Sequence, residues 1–579
     1  MTTTYEHLHK LEKIIFDTLA VFLVLFYSYS AVFTPAATQY HRGVYIIITY
    51  VLIFLVYRSS KLWLRIVDYL LILTSLVTIG YWIINFEAIN YRTGAETTLD
   101  KYIAMAGVLI GVELARRVVG TVFVVIGGLM LLYGVYGDYF PEIISHAGDT
   151  FPELCTTIFY KSDGVFGIMA NVLATYIVLF VIFGAFLERS GAQKFFIDFP
   201  LAAVGHKIGG PGKVAVIASG LFGSISGSAI ANTVSTGAFT IPMMKKAGFK
   251  PHVAGAIEPA ASIGGMFMPP IMGAGGFIMA ELTGMPYSKI MLVALFPAIM
   301  YFFSVFMMVH YEAKMHNIVG RKHQESVLEI FKNGWYYTLP LLVITFFMLS
   351  GYSPGYSAVL GTASCILISW FRRDTRISLK GFVEASRKGA ENSLKIGATV
   401  GVIGIIIGVL TYSGLVLTFA DIVIELAHGS LVLTILLIAL ASLVLGMGVP
   451  VTAAYLVTAV VAVPALTHLG VNEIAAHMIV YWLSQDSNIT PPVCIAAFAG
   501  ATIAKADMWK TAFTSFKFAK FLYLGPFLFG YVPAFTLDGS KSDIIKTFIL
   551  IILGTWGYAY LLSGSWWRQV KNFIKAGNA

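Results

Sequence analysis

Long apolar runs separated by short polar loops make up most of the chain. A helix needs about 20 apolar residues to cross a bilayer. Runs of this kind predict membrane spans at residues 14–33, 43–57, 66–86, 102–117, 119–136, 165–187, 252–280, 288–311, 335–350, 355–371, 391–413, 473–503, 514–535 and 544–563. The pattern therefore predicts an all-α polytopic membrane protein.

Two further apolar stretches, 214–243 and 434–466, are too long and too rich in glycine for a simple span. Small or helix-breaking residues interrupt each stretch midway, as "GSISGS" in the first and "GMGVP" in the second. We predict two re-entrant helical hairpins, each of which enters and leaves the membrane on one side. The alternative is a pair of long tilted helices that pack through their small residues.

An internal repeat relates two parts of the chain. Residues 219–284 match residues 441–506 without a gap, and the proline pair at 269–270 meets the pair at 491–492. Several small residues also coincide at this constant shift. The matches indicate a duplicated structural unit.

The charges of the loops indicate that the two copies have opposite orientations. The loop at 245–252 has three lysines, whereas its counterpart at 467–474 has no lysine or arginine. The next loop reverses this, with one lysine at 281–290 and four at 504–520. Because basic loops remain in the cytoplasm, the copies form an inverted-topology repeat, the arrangement of many secondary transporters.

The same pattern divides the chain into linear segments. We predict an N-terminal membrane module at 1–140, an extracytoplasmic connector at 141–164, a first repeat at 165–311 with its hairpin at 214–243, linking helices and cytoplasmic loops at 312–390, a second repeat at 391–535 with its hairpin at 434–466, and a last span with a cytoplasmic tail at 536–579.

Composition agrees with a membrane protein and excludes several other classes. Hydrophobic residues make up 58% of the chain and charged residues 12%, whereas a soluble domain has about 25% charged residues. The net charge of +9 comes from short loops and does not indicate a nucleic-acid partner. Three distant cysteines form neither a disulfide framework nor a metal cluster. We find no catalytic triad or nucleotide-binding motif, and therefore predict neither an enzyme nor an organic cofactor.

The stretch "SQDSNITPPV" places a cluster of polar residues between two apolar runs. Pro491 and Pro492 lack N–H donors and disfavour helix at the residues before them. The carbonyl groups freed there can face a cation, and the side-chain oxygens of Ser487, Asn488 and Thr490 are ligands suited to Na⁺. A broken backbone persists inside a membrane only where it lines a cavity or holds an ion.

The first copy repeats this design with different residues. It interrupts its helix with glycines and prolines, namely Gly264, Gly265, Pro269 and Pro270. The tip of its hairpin supplies polar side chains, namely Ser226, Ser228, Asn232 and Thr233. The tip of the second hairpin offers mostly backbone, together with Thr452. Helix packing is the alternative for each hydroxyl group, because such groups often bond to a preceding carbonyl.

Two carboxylates, Glu258 and Asp486, lie at membrane depth in the predicted topology. Ionisable residues in such positions are functional candidates, either as cation ligands or as proton carriers. The alternative is a structural carboxylate that caps a broken helix.

Four motifs resemble one transporter family. They are "SGSAIANTVSTGAFTIPMMKKAGF", "EPAASIGGMFMPPIMGAGGFIMAE", "GMGVPVTAAYLV" and "SQDSNITPPVCIAAFAGATIA". They look like the permease of a tripartite ATP-independent periplasmic (TRAP) transporter, of the fused type that works with TAXI-class binding proteins. The resemblance covers 165–535, and residues 1–140 fit the fused small subunit in length and span count only.

The resemblance implies a secondary transporter driven by an ion gradient, usually of Na⁺, with H⁺ as the alternative. A TAXI-type binding protein delivers the substrate outside the bacterial or archaeal cytoplasmic membrane, and no ATPase subunit takes part. The transport domain moves like an elevator against a scaffold in the lipid bilayer. The expected substrates are organic acids, in particular dicarboxylates such as 2-oxoglutarate, or glutamate.

The resemblance also implies two cation sites at the hairpin tips and broken helices. The first would comprise Ser226, Ser228, Asn232, Gly264 and Gly265. The second would comprise Gly448, Thr452, Ser487, Asn488 and Thr490. Asp486 and Glu258 remain candidate coupling carboxylates, and a stand-alone anion symporter or exchanger, a channel or a membrane enzyme remain as alternative functions.

Overall fold

The computed structural model describes residues 5–59, 62–320, 325–447 and 449–563. Within these ranges the chain is helical, and the remaining β structure is one isolated bridge between Ile208 and Val319. The N-terminal helices are α1 (Lys10–Val32), α2 (Thr38–Val56), α3 (Leu62–Ile84), α4 (Phe86–Tyr91), α5 (Thr98–Val118), α6 (Thr121–Val135), α7 (Phe151–Tyr160), α8 (Ile168–Val172) and α9 (Val178–Arg189).

The middle and C-terminal parts of the chain add nineteen more helices. The middle helices are α10 (Ala192–Val204), α11 (Gly210–Ser226), α12 (Ala229–Lys246), α13 (Pro251–Phe267), α14 (Gly275–Thr283), α15 (Tyr287–Met315), α16 (Val327–Gly334), α17 (Leu339–Leu349), α18 (Pro354–Ser369) and α19 (Leu379–Gly397). The C-terminal helices are α20 (Val400–Ser413), α21 (Leu415–Leu426), α22 (Leu431–Leu445), α23 (Val451–His468), α24 (Glu473–Leu483), α25 (Ile495–Ala504), α26 (Met508–Phe518), α27 (Phe521–Tyr531) and α28 (Lys541–Leu562).

The chain is an all-helical, multi-pass membrane protein. In the described part of the chain, eight helical segments are long and apolar enough to cross a membrane, and four shorter apolar helices accompany them. Two predicted spans, 252–280 and 473–503, are each divided into two helices. The segment Leu379–Gly397 is the helix α19, which leads into α20. It covers the end of the predicted linking helices and cytoplasmic loops at 312–390 and the start of the predicted span at 391–413.

The helices form two compact units, each built from separate stretches of the chain. The first unit contains Met1–Ser190, Leu342–Gly429 and Met447–Ala465. The second unit contains Gly191–Leu341, Ser430–Gly446 and Leu466–Ala579. The linear segments predicted from the sequence are thus combined in each unit with segments distant in the chain.

Ion pairs hold the N-terminal helices inside the first unit. Arg387 of α19 donates two hydrogen bonds of 2.7 Å to the carboxylate of Asp17 on α1. Arg58 at the end of α2 pairs with Glu12 at the start of α1 at 2.6 Å. The bidentate Arg387–Asp17 pair has a fixed geometry, so it sets the position of α1 in this unit together with the Arg58–Glu12 pair.

The second unit is organised around α11, α12 and α13, which pack against one another. The α11 and α13 backbones cross at Gly223 and Gly265. A Cβ atom placed on Gly265 would lie 2.3 Å from the Gly223 Cα and 2.5 Å from its carbonyl carbon. Glycine is therefore required at this crossing, because no side chain fits between the two backbones.

We expect Gly265→Ala to lower the stability of the protein, because the added methyl group must push α11 and α13 apart. Overpacking of this kind costs about 1–3 kcal/mol. The thermal unfolding midpoint of the purified variant measures the effect. Gly554→Ala in α28 is the matched control, since no atom lies within 4 Å of its added Cβ. Equal midpoints for the two variants would contradict this account of the crossing.

Candidate ion-binding site

The first proline pair lies in a gap between two helices of the second unit. Helix α13 ends at Phe267, and α14 begins at Gly275. Between them Met272 and Gly273 both have a φ of 57°, which is incompatible with a continuous helix. The chain is therefore unwound across the segment that contains Pro269 and Pro270, which we call the first break (residues 268–274).

The second proline pair lies in an equivalent gap. Helix α24 ends at Leu483, a short 3₁₀ turn covers Asp486–Asn488, and α25 begins at Ile495. Cys494 has a φ of 48° just before α25. We call residues 484–494 the second break. Both proline pairs contain a cis peptide bond.

The turn of the first hairpin meets the first break. A Cβ atom on Gly227, which joins α11 to α12, would lie 3.6 Å from the Cα of Gly273. The two candidate serines of this turn also shape it. Ser228 caps α12 by accepting a bond from the Ala231 N–H at 3.3 Å, and the Ser226 hydroxyl donates to the Ser228 carbonyl at 3.4 Å.

Asn232 lies one turn into α12 and is completely buried. Its amide nitrogen donates to the Ser219 carbonyl at 3.0 Å. Within the described residues its Oδ1 atom has no hydrogen-bond partner, and neither has the Oγ1 atom of Thr233, which is also buried. Because most buried polar atoms in proteins have a hydrogen-bond partner, these two oxygen atoms are candidate ligands for a cation.

The two glycines predicted for the first site have packing roles. Gly264 faces the aromatic rings of α15, since its added Cβ would lie 2.6 Å from both Tyr301 and Phe302. Gly265 forms the backbone crossing described above. These contacts explain why residues with no side chain stand here, and only their carbonyl groups remain available for a cation.

The second break has unpartnered polar atoms of its own. Asp486 is 3% exposed, and its Oδ1 atom has no partner in the described part of the chain. Both polar atoms of the fully buried Gln485 side chain and the hydroxyl of Ser442 on α22 are unpartnered as well. The sequence prediction omitted Gln485 and Ser442, although Gln485 stands beside Asp486 in the same polar stretch.

Helix α22 approaches the second break at Ser487. A Cβ atom on Gly446, at the end of α22, would lie 2.5 Å from the Ser487 hydroxyl oxygen. Asn488 donates its amide to the Gln485 carbonyl at 3.2 Å. The Thr490 hydroxyl pairs with the hydroxyl of Tyr523 at 2.6 Å, so this predicted ligand is already engaged.

Thr452 and Gly448 complete the predicted second site. Thr452 lies in α23 within the first unit, where it is buried and its hydroxyl is unpartnered among the described residues. Gly448 lies outside the described residues.

Glu258 of α13 is fully buried and surrounded by hydroxyl groups. Thr240 donates to its Oε2 atom at 2.5 Å, and Ser219 and Thr236 donate to its Oε1 atom. The three donors come from α11 and α12. This carboxylate therefore links the three central helices of the second unit.

The donor set of the two breaks consists of oxygen atoms. No group of three His, Cys, Asp or Glu residues in the described chain is arranged to hold a transition metal. Carboxylate, amide, hydroxyl and carbonyl oxygens suit hard cations. The residues present thus fit a small hard cation such as Na⁺.

Comparison with known proteins gives a family and several relatives. A family profile described as "Tripartite ATP-independent periplasmic transporter, DctM component" matches residues 106–535. The Escherichia coli 2,3-diketo-L-gulonate TRAP transporter large permease protein YiaN is 24% identical over 363 residues, which cover 62% of this chain and 84% of the relative. The Pseudomonas aeruginosa C4-dicarboxylate TRAP transporter large permease protein DctM is 22% identical over 395 residues, covering 66% and 91%.

A solved structure, that of the Alcanivorax borkumensis YdaH transporter, is also similar to this chain. It covers 72% of this chain and 98% of its own, with a TM-score of 0.46 and 15% sequence identity.

Proposed function

Because the chain belongs to the family of the DctM component of TRAP transporters, we propose that it takes up an organic acid anion by symport with Na⁺. Its relatives are transporter permeases and not enzymes, and TRAP permeases work with a substrate-binding protein. The observation that carries the proposal is a set of buried oxygen atoms without hydrogen-bond partners in the described chain, on Asn232 and Thr233 of α12 and on Gln485 and Asp486 of the second break.

We propose Na⁺ as the coupling ion because burying these oxygen atoms without hydrogen-bond partners costs free energy. A buried polar atom without a partner costs about 1–3 kcal/mol, and Asn232, Thr233 and Asp486 all carry one. A cation that binds at each break would satisfy them together. Unwound segments in the middle of broken membrane helices bind coupling ions in this way in other secondary transporters.

The expected substrate is an anion with at least one carboxylate, such as 2-oxoglutarate or glutamate. Helices α14 and α25 begin directly after the two breaks, so their positive N-terminal ends face the same segments. No arginine occurs in 214–311 or 430–535. We therefore expect backbone amides, rather than a guanidinium group, to hold the carboxylate.

The proposal extends to the architecture of the transporter. Residues 1–140 would correspond to a fused small subunit, and the partner would be a TAXI-type binding protein outside the cytoplasmic membrane. The second unit contains both breaks and would move like an elevator. The pairs Arg387–Asp17 and Arg58–Glu12, which fix α1 within the first unit, support a rigid scaffold there.

Uptake by purified protein in liposomes tests the proposal. Labelled 2-oxoglutarate and glutamate are supplied together with a TAXI-type binding protein from the same organism, under an inward gradient of either Na⁺ or choline. We expect accumulation only with Na⁺ and the binding protein together. Uptake without the binding protein would instead support a stand-alone symporter or exchanger, and uptake that needs only a proton gradient would support H⁺ coupling.

Asn488→Ala is expected to raise the Na⁺ concentration for half-maximal uptake by about fivefold, the equivalent of one lost hydrogen bond. The side-chain amide of Asn488, which this variant lacks, donates to the Gln485 carbonyl at 3.2 Å and so shapes the second break. Uptake is measured against Na⁺ at saturating substrate. Ser235→Ala on the exposed side of α12 is the control, and an unchanged Na⁺ dependence in Asn488→Ala would count against the second site.

A further inference from the structure

The first break uses hydroxyl groups from two tyrosines to satisfy its backbone. Pro270 has no N–H, so the Met266 carbonyl four residues earlier has no helical donor. The hydroxyl of Tyr481, on α24, lies 2.7 Å from this carbonyl oxygen and 2.5 Å from that of Met272. It therefore connects the last turn of α13 to the interior of the first break.

Tyr287, the first residue of α15, acts on the same segment from another side. Its hydroxyl lies 2.9 Å from the Pro270 carbonyl oxygen and 2.6 Å from that of Ile271. Unlike Tyr481, Tyr287 contacts two adjacent carbonyl groups inside the break and none in α13.

The glycine-rich motif "GAGG" at 273–276 makes room for these rings. A Cβ atom on Gly275 would lie 2.1 Å from the ring of Tyr481, and one on Gly276 would lie 3.1 Å from the ring of Tyr287. The motif is thus explained by the approach of the two tyrosines to the backbone.

Tyr481 also belongs to the last turn of the helix that leads into the second break. Its own carbonyl accepts a 2.7 Å bond from the Ser484 hydroxyl, at the start of that break. Its neighbour Trp482 stacks on Phe267, the last residue of α13, with ring centroids 4.4 Å apart. The end of α24 is consequently packed against both breaks.

We propose that Tyr481 is a positioning residue that couples the two breaks. Its hydroxyl sets the shape of the first break, while its helix is continuous with the second. When the second break binds a cation, the end of α24 changes position, and the Tyr481 hydroxyl transmits this change to the first break. Cation binding at the first break affects the second in the same way, because coupling between binding sites is reciprocal. This inference rests on the proposed Na⁺ symport.

Hydrogen–deuterium exchange tests the structural part without any transport. Tyr481→Phe keeps the ring and removes the hydroxyl, and we expect the amides of 271–276 to exchange about fivefold faster. Tyr301→Phe is the matched control. It removes an equally buried hydroxyl, which bonds to the Ala260 carbonyl at 2.7 Å within α13. Equal exchange at 271–276 in the two variants would overturn the proposal.

The Na⁺ dependence of uptake tests the coupling. Tyr481→Phe should give a less steep Na⁺ response than the wild type, with the substrate concentration for half-maximal uptake unchanged. Tyr287→Phe should shift the Na⁺ response without reducing its steepness. Wild-type steepness in Tyr481→Phe would refute the coupling. A wild-type protein that does not respond to Na⁺ would refute the proposed symport and the coupling with it, while the exchange result would still decide whether Tyr481 holds the break.

Discussion

Replacing Asp486 by alanine is expected to lower uptake at limiting Na⁺ by about 100-fold or more, the effect of losing one partner of a buried charge pair. The side chain is buried at the second break, and its Oδ1 atom is unpartnered in the described chain. A buried carboxylate is stable when it is protonated or paired with a cation. Removing it should therefore deprive the second site of its negative charge.

Initial uptake rates over a range of Na⁺ concentrations measure this effect. Asp421→Ala is the control, because this aspartate is exposed on α21. A change in uptake of about twofold corresponds to less free energy than one weak hydrogen bond contributes. If uptake by Asp486→Ala stays within about twofold of the wild type at every Na⁺ concentration, the proposed role of Asp486 is contradicted.

Asp486→Asn separates the two coupling ions. If Asp486 carries a proton, the variant should lose the pH dependence of uptake shown by the wild type. If it binds Na⁺, the variant should keep that pH dependence and require more Na⁺. Flat pH profiles in both proteins would discard the proton alternative.

The second large effect is expected at Asn232. Asn232→Ala should raise the Na⁺ concentration for half-maximal uptake by about tenfold or more, since it removes both a proposed cation ligand and a buried hydrogen bond. The Asn232→Asp variant decides between these two losses. It keeps an Oδ1 oxygen but cannot donate to the Ser219 carbonyl, whose bond to the amide is 3.0 Å.

We expect Asn232→Asp to retain most of the Na⁺ affinity, because a carboxylate oxygen also binds a cation. Uptake measured against Na⁺ for the three proteins gives the answer. An Asp variant as impaired as the Ala variant would show that the amide acts only by holding Ser219, and the first cation site would then lose its main side-chain ligand.

The positions of both breaks could be predicted from local chemistry. Proline lacks an N–H and restricts the preceding residue, and α13 ends at Phe267, two residues before Pro269. The internal repeat aligns the proline pair at 269–270 with the pair at 491–492, so the position of the first break also predicts the position of the second. The contact between Gly227 and Gly273 likewise agrees with the expectation that a hairpin tip adjoins a break.

The roles of individual residues at these breaks depend on contacts distant in the chain. Gly264 and Gly265 are predicted cation-site residues, and the structure adds that they pack against the rings of α15 and the backbone of α11. Tyr481 meets Met266 across 215 residues, a contact that no local pattern indicates. Gln485 was missed because only the packed structure shows that a buried amide has no partner.

The organisation of the units depends on similar long-range contacts. The linear order predicts an N-terminal membrane module at 1–140, and the structure adds that Asp17 in this module pairs with Arg387 across 370 residues. Residues 1–140 therefore share a compact unit with Leu342–Gly429. Charge counts in single loops cannot indicate such pairs, because they do not show which helices are adjacent.

Calorimetric titration of Na⁺ into the purified protein, kept in choline chloride, shows whether the two breaks bind Na⁺. We predict one Na⁺ bound at each break in the wild type, with one binding event lost in Asn232→Ala and the other in Asp486→Ala. No Na⁺ binding by the wild type, or an unchanged stoichiometry in both variants, would contradict it.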